Sequence, residues 1–266
     1  MAYDTFVALG DSFTEGLDDP APSGTGFRGW ADMVAQRLAA ATPGFRYANL
    51  AVRGRLLAPI VADQVPAAVE LRPRLVSLAG GTNDILRRRC DVPALRRTFE
   101  DAVRRLRETG ADVVVFTGTD PTRRLPSTRR LLPRIETLNE TVRRVADEHG
   151  ALLVDLWSER VFDDPRLWSD DRLHLATEGH RRVAAAVLDR LAGASPALRA
   201  ALSCTENDGD WRAPLPVTAA PRWMWTRLED ARWARRHLAP WVYRRLTGRS
   251  SGDTVVAKRS QLTPLL

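Results

Sequence analysis

The segment TFVALGDSF, from Thr5 to Phe13, decides the fold of this 266-residue chain. Its first five residues form a largely apolar run of strand length, which predicts a strand buried on both faces. Gly10 ends the run, and the residues from Trp30 to Ala41 then place apolar side chains at helical spacing. A buried strand followed by a helix predicts the first β-α unit of a mainly parallel sheet.

The same alternation of strand and helix continues to residue 193. Four more runs predict strands: Arg46 to Leu50, Leu75 to Ala79, Asp112 to Thr117 and Ala151 to Leu156. Helical patterns near residues 93–109, 128–148 and 177–192 would cover both faces of the sheet. We therefore predict one α/β domain over residues 1–193, a three-layer α/β/α sandwich with a mainly parallel five-stranded sheet. Ligands of such sheets bind at the carboxyl ends of the strands.

The composition is typical of a globular protein, because hydrophobic residues make up 44% of the chain. No apolar run approaches the roughly 18 residues of a membrane-spanning helix, and the first residues have no basic segment followed by an apolar one. We therefore expect no secretion signal and a cytoplasmic location. The two cysteines, Cys90 and Cys204, form neither a disulfide framework nor a zinc-ligand spacing.

The formal net charge of +7 is unevenly distributed along the chain. Residues 1–193 contain 28 arginines and 27 acidic residues, whereas 11 basic residues face 6 acidic ones after residue 202. Since the domain itself is nearly neutral, the sequence indicates no nucleic-acid partner.

Ser12 follows the first strand directly, so we expect its hydroxyl at a strand-to-helix turn that faces the pocket. The N-terminus of a helix also stabilises developing negative charge. Taken alone, a serine in this position is more often a helix cap than a nucleophile. Its assignment as a nucleophile depends on the other motifs.

Asp171 and His174 lie near enough in a turn for the carboxylate to hold one imidazole nitrogen and leave the other for a nucleophile. The chain has three other histidines. His149 is explained as a cation at a helix end, His180 is expected in a structural role in the first turn of the last helix, and His237 lies in the basic tail. His174 is therefore the candidate base.

A serine that attacks an ester carbonyl creates an oxyanion, which needs hydrogen-bond donors already aimed at it. Three donors are candidates: the backbone N–H of Ser12, the backbone N–H of Gly54 and the side-chain amide of Asn83. Taken singly, Gly54 and Asn83 are more often turn or cap residues.

Together these segments resemble the four sequence blocks of the SGNH hydrolase superfamily, the GDSL esterases and lipases, in the expected order. The blocks are Gly10 to Ser12, Asn49 to Gly54, Gly80 to Asp84 and Asp171 to His174, and the resemblance covers about 190 residues. Phe13 stands where the family name has leucine, which exchanges one large apolar residue for another.

The resemblance implies a flavodoxin-like sandwich in which Ser12 is the nucleophile, His174 the base and Asp171 the residue that orients the base. It also implies that Gly54 and Asn83 complete the oxyanion hole, and that the enzyme uses no metal and no organic cofactor. The remaining polar residues of the blocks suit the turns that hold the loops in place; they are Asp11, Asn49 and Asp84.

The C-terminal part of the chain has a different composition. We predict a linker over residues 194–210, a Trp/Arg-rich amphipathic helical appendage over 211–248 and a disordered tail over 249–266. The appendage holds five of the eight tryptophans: Trp211, Trp223, Trp225, Trp233 and Trp241. Docking on the domain is the favoured interpretation, and a lid over the pocket and peripheral contact with an anionic membrane are the alternatives.

The motifs support three hypotheses about function. The first is a carboxylic ester hydrolase that acts through an acyl-serine intermediate on a small-molecule or lipid ester. The second is an O-acyltransferase with the same catalytic set, and the third is a non-catalytic scaffold whose basic tail binds a membrane or a protein partner. The complete catalytic set favours an enzyme, while the sequence leaves the acyl length, the alcohol part and the oligomeric state open.

Overall fold

The segment Thr5–Leu9 forms strand β1, and all five of its side chains are buried. Phe6 and Ala8 pack into one hydrophobic core, and Val7 and Leu9 pack into the other. This division follows from the alternation of side chains between the two faces of a strand. Because the run has no polar face, it suits an interior position in a sheet covered on both sides.

The computed structural model describes residues 3–122, 124–203, 210–213, 215, 232–240 and 251–265. Its strands are β1, β2 (Arg46–Asn49), β3 (Leu75–Leu78), β4 (Asp112–Phe116), β5 (Leu152–Val154) and β6 (Arg259–Pro264). They form one sheet in the order β5-β4-β3-β1-β2-β6. Strands β1 to β5 are parallel, and β6 runs antiparallel to β2.

The α-helices are α1 (Ser12–Glu15), α2 (Gly29–Ala41), α3 (Leu57–Pro59), α4 (Val65–Leu71), α5 (Thr82–Ile85), α6 (Val92–Glu108), α7 (Leu132–His149), α8 (Thr177–Ala194) and α9 (Pro196–Ser203). Short 3₁₀ helices span Pro126–Leu131, Arg160–Asp163 and Pro165–Leu167, and π-helical turns span Ile60–Gln64 and Ala234–Leu238. No helix of the described residues combines the length and the apolar character needed to cross a membrane.

Two layers of helices cover the sheet. Helices α2, α8 and α9 pack on the face that contains Phe6 and Ala8, whereas α3, α4, α6 and α7 pack on the face that contains Val7 and Leu9. The structure confirms the predicted α/β/α sandwich and its mainly parallel sheet.

The sixth strand corrects the sequence prediction at the C-terminal end of the chain. Residues 249–266 were expected to be disordered, but Arg259–Pro264 form β6 along the outer edge of β2. An edge strand leaves a row of backbone donors and acceptors unpaired, and β6 pairs with them while Leu262 packs against the core. Composition alone does not reveal this pairing, because backbone groups make it.

The segment that links the domain to its appendage also differs from the prediction. Within the linker expected over residues 194–210, Pro196–Ser203 form helix α9, whose Leu198 is buried. In the appendage expected over 211–248, the helical segment 232–240 and a few residues near Trp211 are described. Trp223, Trp225 and Trp241 lie outside the described residues.

Candidate active site

Ser12 is the first residue of helix α1 and follows β1 after a two-residue turn. Asp11 caps this helix, since its Oδ1 accepts a hydrogen bond from the backbone N–H of Phe13 at 3.1 Å. Gly10 has a φ of 152°, and a Cβ there would lie 2.6 Å from the carbonyl oxygen of Ala79. The turn therefore requires glycine.

The structure brings His174 between Ser12 and Asp171. Nε2 of His174 lies 3.0 Å from Oγ of Ser12, and Nδ1 lies 2.5 Å from Oδ2 of Asp171. The other carboxylate oxygen of Asp171 accepts hydrogen bonds from the backbone N–H groups of Leu173 and His174. Arg172 permits this tight turn by adopting the left-handed conformation, with a φ of 61°.

The electrostatics of the pair favour an ionised carboxylate beside a basic imidazole. Burial alone would raise the pKa of Asp171, but hydrogen bonds from His174 and Leu173 hold this pKa well below its usual range. Burial alone would lower the pKa of His174, but the hydrogen bond and charge of Asp171 outweigh it and raise that pKa. Asp171 thus strengthens His174 as a proton acceptor.

Backbone donors are available next to the Ser12 hydroxyl. Among the described residues, no acceptor binds the N–H of Ser12 or the N–H of Gly54. Gly54 lies in the turn after β2 with a φ of 73°, a conformation that glycine adopts without strain. Both groups can therefore donate to a developing oxyanion.

Asn83, the third predicted donor, lies in the first turn of α5. Its Nδ2 donates to Oδ2 of Asp11 at 3.0 Å and to the carbonyl oxygen of Arg55 at 3.1 Å. Both amide hydrogens thus have partners within the protein. An oxyanion bound here would share one of them in a three-centre hydrogen bond.

The other polar residues of the motifs hold backbone segments of the site. Asn49 is fully buried, donates to the carbonyl oxygen of Thr14 and accepts from the N–H of Ala51. Asp84 accepts from the N–H of Leu57. Asp11 accepts hydrogen bonds from the N–H of Phe13 and from Nδ2 of Asn83, and burial raises its pKa to about 6. These contacts agree with the loop-holding roles expected from the sequence.

The described hydrogen bonds join none of the other three histidines to the hydroxyl of Ser12. His180 is buried in α8, and its Nδ1 accepts a hydrogen bond from the N–H of Trp30 at 3.2 Å. Burial lowers the pKa of His180, which favours the neutral form of the imidazole that accepts this hydrogen bond. His149 ends α7, and His237 lies in the π-helical turn Ala234–Leu238.

Ser12 and His174 open into a cavity of about 200 Å³ at the carboxyl ends of β1, β3 and β4. Most of the described lining residues are apolar, and they include Phe13, Phe116, Leu156, Phe162, Trp168 and Leu173. Phe13 and Phe116 form an edge-to-face pair with ring centroids 5.5 Å apart. The site can therefore hold an apolar group next to a serine hydroxyl.

Sequence reasoning missed several residues that shape the site. Gln64 accepts from the N–H of Gly10 at 2.8 Å and donates to its carbonyl oxygen at 3.0 Å, while Oδ2 of Asp18 lies 3.9 Å from Nδ1 of His174. Glu15 accepts from the N–H of Arg53 and so holds the loop of Gly54. Glu15 and Asp18 lie a few residues after the first motif, and this position could have indicated that they belong to the site. No motif in the sequence points to Gln64.

A mainly parallel sandwich with such side chains at the strand ends is the arrangement of an α/β hydrolytic enzyme. The model of the GDSL-like lipase/acylhydrolase family matches residues 8–182, and the chain belongs to this family. This confirms the resemblance inferred from the four sequence blocks and identifies the chain as an ester-hydrolysing enzyme.

Several solved structures share this fold. TesA is 25% identical with a TM-score of 0.59, over 73% of this chain and 99% of TesA. Axe2, an acetylxylan esterase from Geobacillus stearothermophilus, is 21% identical with a TM-score of 0.58, over 71% and 94% of the two chains. LAE5, from the metagenome of Lake Arreo, is 23% identical with a TM-score of 0.60, and the match covers 77% of this chain and 97% of LAE5. No curated protein sequence matches the chain.

Proposed function

We propose that the chain hydrolyses carboxylic esters through an acyl-serine intermediate, with Ser12 as nucleophile, His174 as base and Asp171 as the group that orients the base. The observation that carries this proposal is the continuous hydrogen-bonded chain from Oγ of Ser12 through the imidazole to the Asp171 carboxylate. Such an arrangement activates a serine hydroxyl that is otherwise a weak nucleophile.

In the first half of the reaction, Nε2 of His174 takes the proton of Ser12 while Oγ forms a bond to the ester carbonyl carbon. The N–H groups of Ser12 and Gly54 and the amide of Asn83 stabilise the oxyanion. When this intermediate collapses, the bond to the alcohol oxygen breaks and the alcohol leaves with the proton from His174. A water molecule then attacks the acyl-serine in the same manner, which releases the acid and restores Ser12.

The cavity supports a short to medium acyl or alcohol group as the substrate part next to Ser12. It is small, about 200 Å³, and mostly apolar, so a compact apolar group would gain stability by leaving water there. We therefore propose short-chain esters as the first substrates to test.

Hydrolysis of a para-nitrophenyl ester by the full chain tests the proposal. Ser12→Ala and His174→Ala should each lower kcat by at least about 10³-fold, while Ser23→Ala, which alters an exposed serine, should leave it unchanged. Equal turnover by the wild type and by the Ser12 and His174 variants would contradict the proposed roles of these two residues in ester hydrolysis. Addition of a primary alcohol tests the acyltransferase alternative, because a transferase would form a new ester instead of free acid.

We also propose that the described residues of the predicted appendage, 211–213 and 232–240, dock on the domain. Two contacts support this: Arg37 lies over the ring of Trp211, and Arg172 lies 4.9 Å from the ring centroid of Trp233. If the segment acts as a lid, Trp233→Ala should change KM for esters; if it contacts membranes, the chain should sediment with anionic vesicles. The cytoplasmic location inferred from the sequence stays a prediction.

A further inference from the structure

Arg124 contributes a charged group to the otherwise largely apolar cavity wall. Its guanidinium lies flat against Trp168, with Cζ 3.3 Å from the ring centroid. Nε donates to the carbonyl oxygen of Arg172 at 3.1 Å, Nη1 to the carbonyl oxygen of Asp120 at 3.0 Å, and Nη2 to Oγ1 of Thr119 at 3.4 Å. These contacts use three of the five N–H groups that a guanidinium carries.

No carboxylate of the described residues lies within ion-pair distance of Arg124. Two half-buried arginines of the domain do have such partners, in the pairs Arg143–Asp155 and Arg166–Asp164. Burial lowers the pKa of Arg124 to about 9, against the weaker opposing effect of more distant acidic groups. A buried charge without a carboxylate partner is costly, and an anionic ligand would offset this cost.

We propose that Arg124 binds an anionic group of the substrate, a carboxylate carried by the ester, inside the cavity that holds Ser12. This inference rests on the proposed ester hydrolase function and narrows its substrate class. Two N–H groups of the planar guanidinium have no acceptor among the residues that the structure describes, and a guanidinium matches the geometry of a carboxylate. The apolar walls would hold the hydrocarbon part, and the charge of Arg124 would select esters with an acidic group.

The location of Arg124 limits where the anion can lie. Arg124 binds the carbonyl oxygen of Arg172, which stands between Asp171 and His174 in the chain. The anionic group would therefore lie on the wall formed by the loop of His174, and not on the wall that contains Asn83. The carboxylate that binds Arg124 can belong to the acyl part or to the alcohol part of the ester. Substrates with a carboxylate in one part or the other distinguish these two cases.

Two pairs of esters test the proposal. The acyl pair is para-nitrophenyl hydrogen glutarate and para-nitrophenyl pentanoate, which differ by a terminal carboxylate. The alcohol pair is para-acetoxybenzoate and phenyl acetate. We expect the wild type to favour the charged member of one pair by about tenfold in kcat/KM over its neutral partner, as a charge-assisted hydrogen bond implies.

Variants then assign the preference to Arg124. Arg124→Gln should lower that ratio by about tenfold, and Arg124→Lys should restore part of it. Arg129→Gln is the matched control, because it removes the same charge from an exposed position on the following 3₁₀ helix and should leave the ratio unchanged. A wild type that prefers both neutral esters, or an Arg124→Gln variant with an unaltered ratio, would overturn the proposal.

A measurement on the wild type alone covers the case in which Arg124→Gln does not fold. Glutarate should inhibit hydrolysis of the neutral ester competitively and raise Tm, and added salt should weaken both effects; no inhibition and no shift would overturn the proposal. If neutral esters are hydrolysed in a Ser12-dependent way without any charge preference, this inference alone fails. If no ester is hydrolysed, the proposed function fails, and the glutarate-dependent shift in Tm still decides whether Arg124 binds carboxylates.

Discussion

Lys258 donates a hydrogen bond to the carbonyl oxygen of Glu15, at 2.7 Å, and thereby ties the C-terminal segment to the helix that begins with Ser12. The same ammonium group is within hydrogen-bonding distance of the carbonyl oxygens of Phe27 and Arg28 and of Oδ2 of Asp32; because it has three N–H groups, two of the four acceptors share one hydrogen. Lys258 is the only lysine in the chain. A compact ammonium group suits acceptors on several sides, whereas a planar guanidinium would not.

Lys258→Met should destabilise the protein by about 2 kcal/mol, because it leaves several carbonyl oxygens without their donor. Lys258→Arg should recover little of this loss. Chemical denaturation of the two variants measures the difference in the free energy of unfolding, with Ser260→Ala, at an exposed position in β6, as control. A Lys258→Met variant as stable as the wild type would show that β6 holds its place without this contact.

The acidic limb of the pH profile should report on His174. Its raised pKa lies above the ordinary value of 6.5, because the Asp171 carboxylate outweighs the effect of burial. Since a base must be neutral to accept a proton, kcat/KM should rise with pH through this pKa. The midpoint of the limb should therefore lie above pH 6.5, the ordinary pKa of the imidazole.

Asp171→Asn removes the negative charge, so the pKa of His174 should fall and the limb should move to lower pH. The plateau of kcat should also fall, by about 10⁴-fold where the imidazole loses its orientation. Asp18→Asn is the matched comparison, since Asp18 lies 3.9 Å from the same nitrogen and should shift the limb less, in the same direction. A limb that stays in place in Asp171→Asn would show that another group controls it.

Asn83→Ala should lower kcat by about 10²- to 10³-fold and change KM little, because an oxyanion donor acts on the transition state. The amide also binds Asp11 and the carbonyl oxygen of Arg55, so Tm must be measured alongside the kinetics. A variant whose KM rises while kcat is preserved would place Asn83 in substrate binding and not in the oxyanion hole.

The sequence predicted the parts of the fold and site that local patterns encode. The run Thr5–Leu9 is apolar on both faces, and the residues that surround Ser12 and His174 occur in short motifs. Gln64 is different, because a glutamine inside an apolar helical segment gives no sign that it pairs with the backbone of Gly10, 54 residues away in sequence. Only the packing of the π-helical turn Ile60–Gln64 against β1 brings the two together.

Arg124 and β6 escaped prediction for related reasons. Because the chain contains many arginines, the sequence does not indicate that an arginine in a loop has a role in the site. Arg124 became a candidate because its guanidinium stacks on Trp168. The strand β6 lies in a polar segment whose main partner is the backbone of β2. Both features depend on contacts between segments that are distant in sequence, which composition and periodicity do not report.

Gly10→Ala should destabilise the protein by about 2–3 kcal/mol and abolish most of its activity. An added Cβ would meet the carbonyl oxygen of Ala79 at 2.6 Å and Oγ1 of Thr14 at 2.7 Å. We expect the backbone shift that relieves the clash with the carbonyl group to displace the turn that carries Ser12. Gly110→Ala is the matched control: Gly110 has a φ of 83° but no atom within 4 Å of its Cβ position, so backbone strain alone should cost about 1 kcal/mol. If the two variants lose equal stability, backbone conformation alone explains the glycine before Asp11. A larger loss in Gly10→Ala, together with lower kcat, would show that close packing against β3 positions the nucleophile.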